Sequence, residues 1–342
     1  MHPRAHTLAK AVAFASFLAS PGATQFAAAT TADLAPYRPE QKVSGEIRVW
    51  GSPEDRGLLK LWEAGFRKLQ PQTHLALQLH GPESTMAGIY TGVADLAFVG
   101  RELRAPVEYM AFEWAKLYKP TTIEVANAGL HSHRLAANLA VFVHRDNPLT
   151  GLTVVQLDGI FGAEHKRGPA NLRTWGDLGL AGEWRDRSIR VLAPPVDSIP
   201  ALFFRKAVLD DSFKWNASLE EFPSEAEALA ALARDPGGIA YAPLAAANDA
   251  VKALPLAATS AGPFVALTAE SAADRSYPLS RVVIAALDHA PGKPIDPRIR
   301  EFLRFVLSAE GQAAVARDGN YLPLLAKNAQ QQLTRLGLIE QK

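Results

Sequence analysis

Four stretches of the chain carry polar groups suited to holding a small charged ligand: "GSPEDRG" at 51–57, "HGPESTM" at 80–86, "GREL" at 100–103 and "APPVDSIPALFFRKAVL" at 193–209. In the last, Asp197 and Ser198 are good helix caps and Pro200 suits a first turn, so a helix N-terminus is predicted there. Such an end offers backbone N–H groups and the positive pole of the helix dipole, which is anion-binding chemistry. Asp197 brings a negative charge to that spot, and Pro200 removes one donor. The candidate ligand-binding residues are the hydroxyls of Ser52, Ser84, Thr85 and Ser198, the guanidinium of Arg101, and the carboxylates Glu54 and Asp197. Hydroxyls and a cation suit an anion; Glu54, Asp55 and Asp197 turn the same place toward a cation or an amine.

Plainer readings compete. Each serine could be a turn or cap residue, and Arg101 could pair locally with Glu102 or Glu54. "HSHR" puts His131 and His133 on one side of a strand, but two metal ligands without a third are weak, and a surface insertion fits them better. There is no Asp-x-Asp calcium loop, so no metal and no cofactor are expected. Nor is there a Ser-x-x-Lys, Gly-x-Ser-x-Gly or Walker-type motif, so the chain is not expected to be an enzyme.

The elements that position these loops follow from two periodicities. "EIRVW" reads as a strand. Leu58, Leu59, Trp62, Phe66 and Leu69 recur at helical spacing, and "THLALQLH" alternates with Leu75, Leu77 and Leu79 on one face. A short helix at Met86 to Tyr90 then leads into the strand "ADLAFVG". Strand, helix, strand, helix, strand predicts a parallel sheet, and in open parallel sheets ligands sit beyond the carboxyl ends of the strands. The first three loops therefore converge.

A second α/β unit begins at "NLAVFVHRDNPL" and takes in the helix "TVVQLDGIFG" with its Thr cap and the glycine-punctuated loop "RTWGDLGLAGEW". The helix of Leu202, Phe203 and Phe204, the helix "SEAEALAALARDPGG" and the strand "IAYAPLAAA" complete it. Pro297 opens a further helix with Ile299, Phe302, Leu303 and Val306 on one face, and Ser308 caps another that stops near Gly319. Docking these two on the first unit makes the chain cross between units twice. The tryptophans (Trp50, Trp62, Trp114, Trp175, Trp184 and Trp215) are expected mostly in the core, with Trp50 bordering the cleft.

Composition fits a soluble globular chain: of 342 residues 48% are apolar and 21% charged. A net charge of +1 supplies no global field toward nucleic acid or an anionic membrane, so neither is expected as a partner. Residues 1–29 show basic Arg4 and Lys10, an apolar run from Ala11 to Ala19 and small residues at Ala27 to Ala29. This is the pattern of a secretory signal peptide with a run too short to span a bilayer. With no cysteine there is no disulfide and no lipid-bearing cysteine, and a soluble periplasmic monomer is expected.

Along residues 45–325, "GSPEDRGLLKLWEAGFRKLQP", "STMAGIYTGVADLAFVGREL", "NPLTGLTVVQLDGIF", "TWGDLGLAGEW" and "YPLSRVVIAALDHAPGKPIDPRIREFLRFVLSAEGQAAVARDGNYLPL" stand in an order and at spacings that resemble the periplasmic phosphate-binding proteins of ABC importers. The resemblance implies a type 2 periplasmic-binding fold, two α/β lobes joined by a two-segment hinge. Lobe 1 would span 45–138 and 283–330, and lobe 2 would span 139–282. It implies an exported solute-binding protein that closes on inorganic phosphate or a related oxyanion and delivers it to an ABC permease.

Carried over position by position, the resemblance is uneven. Gly51 and Ser52 agree with the family's first loop, but Glu54 stands at its hydroxyl position. Ser84 and Thr85 keep the second loop's hydroxyls beside an intruding Glu83. Gly100-Arg101 replaces the family's Ser-Arg. In the fourth loop Pro194 stands for an arginine, and Ser198, Ile199 and Pro200 for a Ser-Gly-Thr run. The alternative is a repurposed binding module with a degenerate phosphate site that takes another ligand or a protein partner.

Overall fold

The computed structural model describes residues 33–104, 107–130, 136–168 and 170–337. The segments read as a signal peptide and as the His131/His133 pair lie outside them.

Two five-stranded sheets organise the described residues. The first has the order β2-β1-β3-β12-β4, from β1 (Gly45–Gly51), β2 (Thr73–Leu79), β3 (Leu96–Phe98), β4 (Thr121–Asn127) and β12 (Val282–Leu287). β1 pairs in parallel with β2 and β3, whereas β12 runs antiparallel to β3 and β4, so the sheet is mixed. The second has the order β10-β5-β9-β7-β8, from β5 (Leu139–His144), β7 (Arg190–Ala193), β8 (Glu220–Glu221), β9 (Gly238–Pro243) and β10 (Val251–Ala253). A small parallel pair, β6 (Leu152–Thr153) and β11 (Leu256–Ala257), lies beside it.

The helices are α1 (Arg56–Arg67), α2 (Pro82–Tyr90), α3 (Val107–Lys116), α4 (Val154–Phe161), α5 (Ile199–Val208), α6 (Glu225–Leu232), α7 (Ala269–Ala273), α8 (Pro297–Val306), α9 (Ala309–Asp318) and α10 (Ala326–Arg335). α1 buries Leu58, Leu59, Trp62 and Phe66 against the first sheet, and α8 and α9 join it there. Trp62 Nε1 donates to the Gly311 carbonyl at 2.9 Å. The C-terminal helices thus dock on the sheet that opens the chain, although β5 to β11 intervene in sequence. Under the second sheet Phe204 stacks on Tyr241 with centroids 4.0 Å apart, and Phe161 packs edge-on to both.

Three local outcomes differ from the expectations. α2 begins at Pro82 rather than Met86, so most of the stretch read as a loop at 80–86 is helix. α3 and β4 were not anticipated. Trp114, expected in the core, is 77% exposed. The Thr153 cap of α4, in contrast, forms the expected structure: its hydroxyl accepts from Gln156 N at 3.1 Å, while the Gln156 side chain accepts from Thr153 N at 2.9 Å.

Gly88 is where α2 meets β1. A Cβ there would lie 2.7 Å from the Trp50 ring, too close for the ring and the helix both to stay in place. Gly88→Ala is expected to cost about 1–3 kcal/mol through overpacking, read as a lowered urea midpoint, and to shift the helix start that borders the cleft.

Candidate functional site

Between the two sheets lies a cleft of about 570 Å³. One wall is Ser52, Pro53 and Glu54, just past the carboxyl end of β1, together with Gly81, Pro82 and Glu83 at the start of α2. The opposite wall is Ile199 and Pro200 at the start of α5, Ser224 to Ala226 at the start of α6, and residues 243–246 after β9. Ala137 and Arg281, from the two segments that cross between the sheets, line the cleft as well. Strand ends and three helix starts meet here, which is where an α/β sheet presents a ligand site.

The donors at those helix starts are few. Pro82 sits at the first turn of α2 and Pro200 at that of α5, and each lacks an N–H. At α5 the Ser198 hydroxyl caps the helix, accepting from Ala201 N at 3.4 Å, and at α6 Ser224 accepts from Glu227 N at 3.3 Å. The carboxylates Glu54, Glu83 and Glu225 stand in the lining.

Ser52 and Glu54 therefore share the cleft wall. Ser52 is buried, and its hydroxyl donates to the Glu54 carboxylate. Ser84 and Thr85 turn back on their own helix: their hydroxyls donate to the carbonyls of Gly81 and Pro82, each at 2.7 Å. Ser198 acts as cap, and Asp197 is exposed just before it; neither lines the cleft.

Arg101 lies behind the cleft wall at 0% exposure. Its Nη1 and Nη2 donate to Glu108 at 3.0 and 2.7 Å, and Nη1 also donates to the Glu102 carbonyl at 2.8 Å. Its local pairing is thus real, but the carboxylate is that of Glu108 on α3, not Glu102 or Glu54. Glu83 approaches it from the cleft side at 3.7 Å. Burial acts to raise the Glu108 carboxyl, but the Arg101 hydrogen bonds and charge, with the Arg104 backbone N–H, outweigh it and hold Glu108 below its usual range.

Gly100 has a structural reason to lack a side chain. Its φ is +71°, and a Cβ would stand 2.8 Å from an Asp55 oxygen. Asp55 is itself buried and accepts from the Tyr321 hydroxyl at 2.7 Å. A carboxylate packs where a side chain at position 100 would need room.

Arg281 was given no role from the sequence. It is buried on the cleft wall, donates through Nε and Nη2 to Glu102 at 3.1 and 2.8 Å, and has its backbone N–H held by the Asn138 side chain at 2.7 Å. Asn138 in turn donates to the Ala128 carbonyl at 2.7 Å, which laces the two crossing segments together. Its sequence signal was an arginine placed where the chain returns to the first sheet. Among the described residues no group of three or more His, Asp or Glu is placed to hold a metal, and no helix is long and apolar enough to cross a membrane.

Comparison with known proteins matches residues 37–310 to the model of the PBP superfamily domain. The phosphate-binding protein PstS of Pseudomonas aeruginosa is 33% identical over 319 residues, covering 93% of this chain and 95% of that protein. Among solved structures, PstS from Borrelia burgdorferi aligns with a TM-score of 0.56 at 17% identity, over 83% of this chain and 99% of that one. An ABC-type phosphate transport receptor from Vibrio cholerae aligns at 0.53 and 20%, over 81% and 100%. At those identities the structural likeness is one of fold.

Proposed function

The chain belongs to the PBP superfamily and, within it, to the PstS phosphate-binding family, and from that premise we propose that it is an exported solute-binding protein that captures phosphate or a related oxyanion non-covalently between its two sheets. The observation that carries this reading is the cleft on which the β1 end and three helix starts converge. In this reading the sheets act as two lobes that close by bending at the Asn138–Arg281 crossing, and the likeness to phosphate-binding proteins and an ABC-type phosphate transport receptor supports a periplasmic location and delivery to an ABC permease. Ser52, backbone N–H groups around Glu54, Glu83 and Ala226, and Arg281 are the groups that would meet the ligand, while Arg101 braces the wall from behind.

Affinity is expected to be low. Each charge-assisted hydrogen bond missing at the helix starts costs about 1.5–3 kcal/mol, and the lining carboxylates repel an anion further. Calorimetric titration should give a phosphate Kd on the order of 0.1–1 mM. A second reading, a module turned to another ligand or a protein partner, is favoured by one specific observation: Glu54, Glu83 and Glu225 line the cleft, whereas its cation Arg281 is neutralised by Glu102. Heat from phosphate or a related oxyanion supports the first reading; silence for all of them up to about 10 mM leaves the second.

A further inference from the structure

Beside the cleft, and sharing Ile199 and Arg281 with it, runs a second cavity of about 480 Å³ that no function proposed so far uses. Its apolar surface comes from both sides of the molecule: Leu103 and Val107 from the first-sheet side, Leu202, Phe203 and Phe213 from the second. Phe213 is 75% exposed although it is large and aromatic, and Val107 at the opposite rim is exposed too. The floor is the Glu102–Arg281 ion pair, with the Arg281 guanidinium 4.8 Å from the Phe203 ring centroid.

The charges in this groove differ from those of the cleft. Arg205 is only 8% exposed, yet its Nε has no hydrogen-bond partner among the described residues. One end of its guanidinium donates to Asp211 at 2.7 Å, and its plane lies 3.7 Å from the Phe213 centroid. That N–H is closed off from solvent, so Arg205 brings positive charge to the groove rather than an open donor. Lys206 lies on the same rim with no carboxylate in ion-pair range among the described residues.

We propose that the groove is a binding site for an apolar organic anion. The apolar body of the ligand lies on Leu202, Phe203, Phe213 and Val107, and its carboxylate lies within reach of Lys206 and of the positive charge of Arg205. Because its walls belong to both sides of the molecule and its floor is the Glu102–Arg281 pair at the crossing, such a ligand ties the two sheets together and biases the opening of the neighbouring cleft.

The test is calorimetric titration of the full chain with 4-phenylbutyrate, with 4-phenylbutanol as the uncharged control. One molecule per chain is expected, with a Kd of about 10–100 µM and at least tenfold weaker for the alcohol; phosphate at about 10 mM shifts this Kd without abolishing saturable binding, because two ligands that bias one opening equilibrium change each other's affinity. Lys206→Glu at the exposed rim and Leu202→Arg within the groove should each raise the Kd about tenfold or more, as should Arg205→Met. If Arg205→Met does not fold, Lys206→Glu and the alcohol control decide. The proposal is overturned by the absence of saturable binding, by equal binding of acid and alcohol, by full competitive displacement with phosphate, or by indifference to Lys206→Glu. It is overturned equally by concentration-dependent dimerisation in place of binding, which would give this face to a second copy of the chain.

Discussion

Replacing Glu54 with threonine and Glu83 with glutamine is expected to tighten phosphate binding about a hundredfold. Both carboxylates stand in the cleft lining, and like charges about 5 Å apart at a partly wetted surface repel by about 1–3 kcal/mol. At about 1.4 kcal/mol, within that range, each removal is worth a factor of ten. Glu54 has a second effect, because it holds the Ser52 hydroxyl; threonine releases that donor to the ligand and adds its own. The gain is checked by calorimetry on the single and double variants. Were phosphate affinity to stay flat across all three, repulsion within the cleft would not be what limits it.

Removing the Glu108 side chain is expected to cost about 3–5 kcal/mol of stability, the largest effect of any single change considered. Arg101 is fully buried and Glu108 is 7% exposed, so Glu108→Ala leaves a buried guanidinium with the exposed Glu83, at 3.7 Å, as its remaining carboxylate. The cost appears as a lower urea midpoint at pH 7 with an unchanged slope. It is also pH-dependent, with a definite sign. The folded Glu108 carboxyl titrates below its unfolded value of about 4.3, so the stabilisation is complete above that value and is lost as pH falls through the folded one. Wild type and variant should therefore converge in stability toward strongly acidic pH; a gap independent of pH would mean that the ion pair is not its source.

Much of the architecture was legible because the core obeys simple periodicities. Leu58, Leu59, Trp62 and Phe66 fall on one helical face, Ile47 and Val49 alternate along β1, and both sets pack where the period places them. The convergence of the β1 and α2 loops on one cleft followed from parallel strand order. α3 was illegible for the opposite reason: it buries Glu108 and exposes Val107 and Trp114, so its polar and apolar residues are not sorted as burial would sort them. Missing α3 meant missing the partner of Arg101.

The site was harder to read than the fold because hydroxyls can serve either a ligand or their own backbone. A helix starting at Met86 would have left Ser84 and Thr85 on a loop facing the cleft. Starting at Pro82, it places both inside the first turn, where their hydroxyls donate to the carbonyls three residues back. Arg281 and Glu225 reach the cleft from parts of the chain remote from the four loops, and their arrival depends on how the two sheets face each other. Single-chain periodicity carries no such information. The family pattern did carry the fold, and its departures at Glu54, Glu83 and Pro200 coincide with groups in the cleft lining.

The most direct test of the cleft as the ligand site is a phosphate titration of the isotopically labelled wild-type chain, followed at its backbone amides by nuclear magnetic resonance. Saturable shifts are expected at Ser52, Glu54, Gly81, Glu83, Ile199, Ser224 to Ala226 and Arg281, with half-saturation on the order of 0.1–1 mM. Shifts that saturate at a different surface while these amides stay still would contradict it.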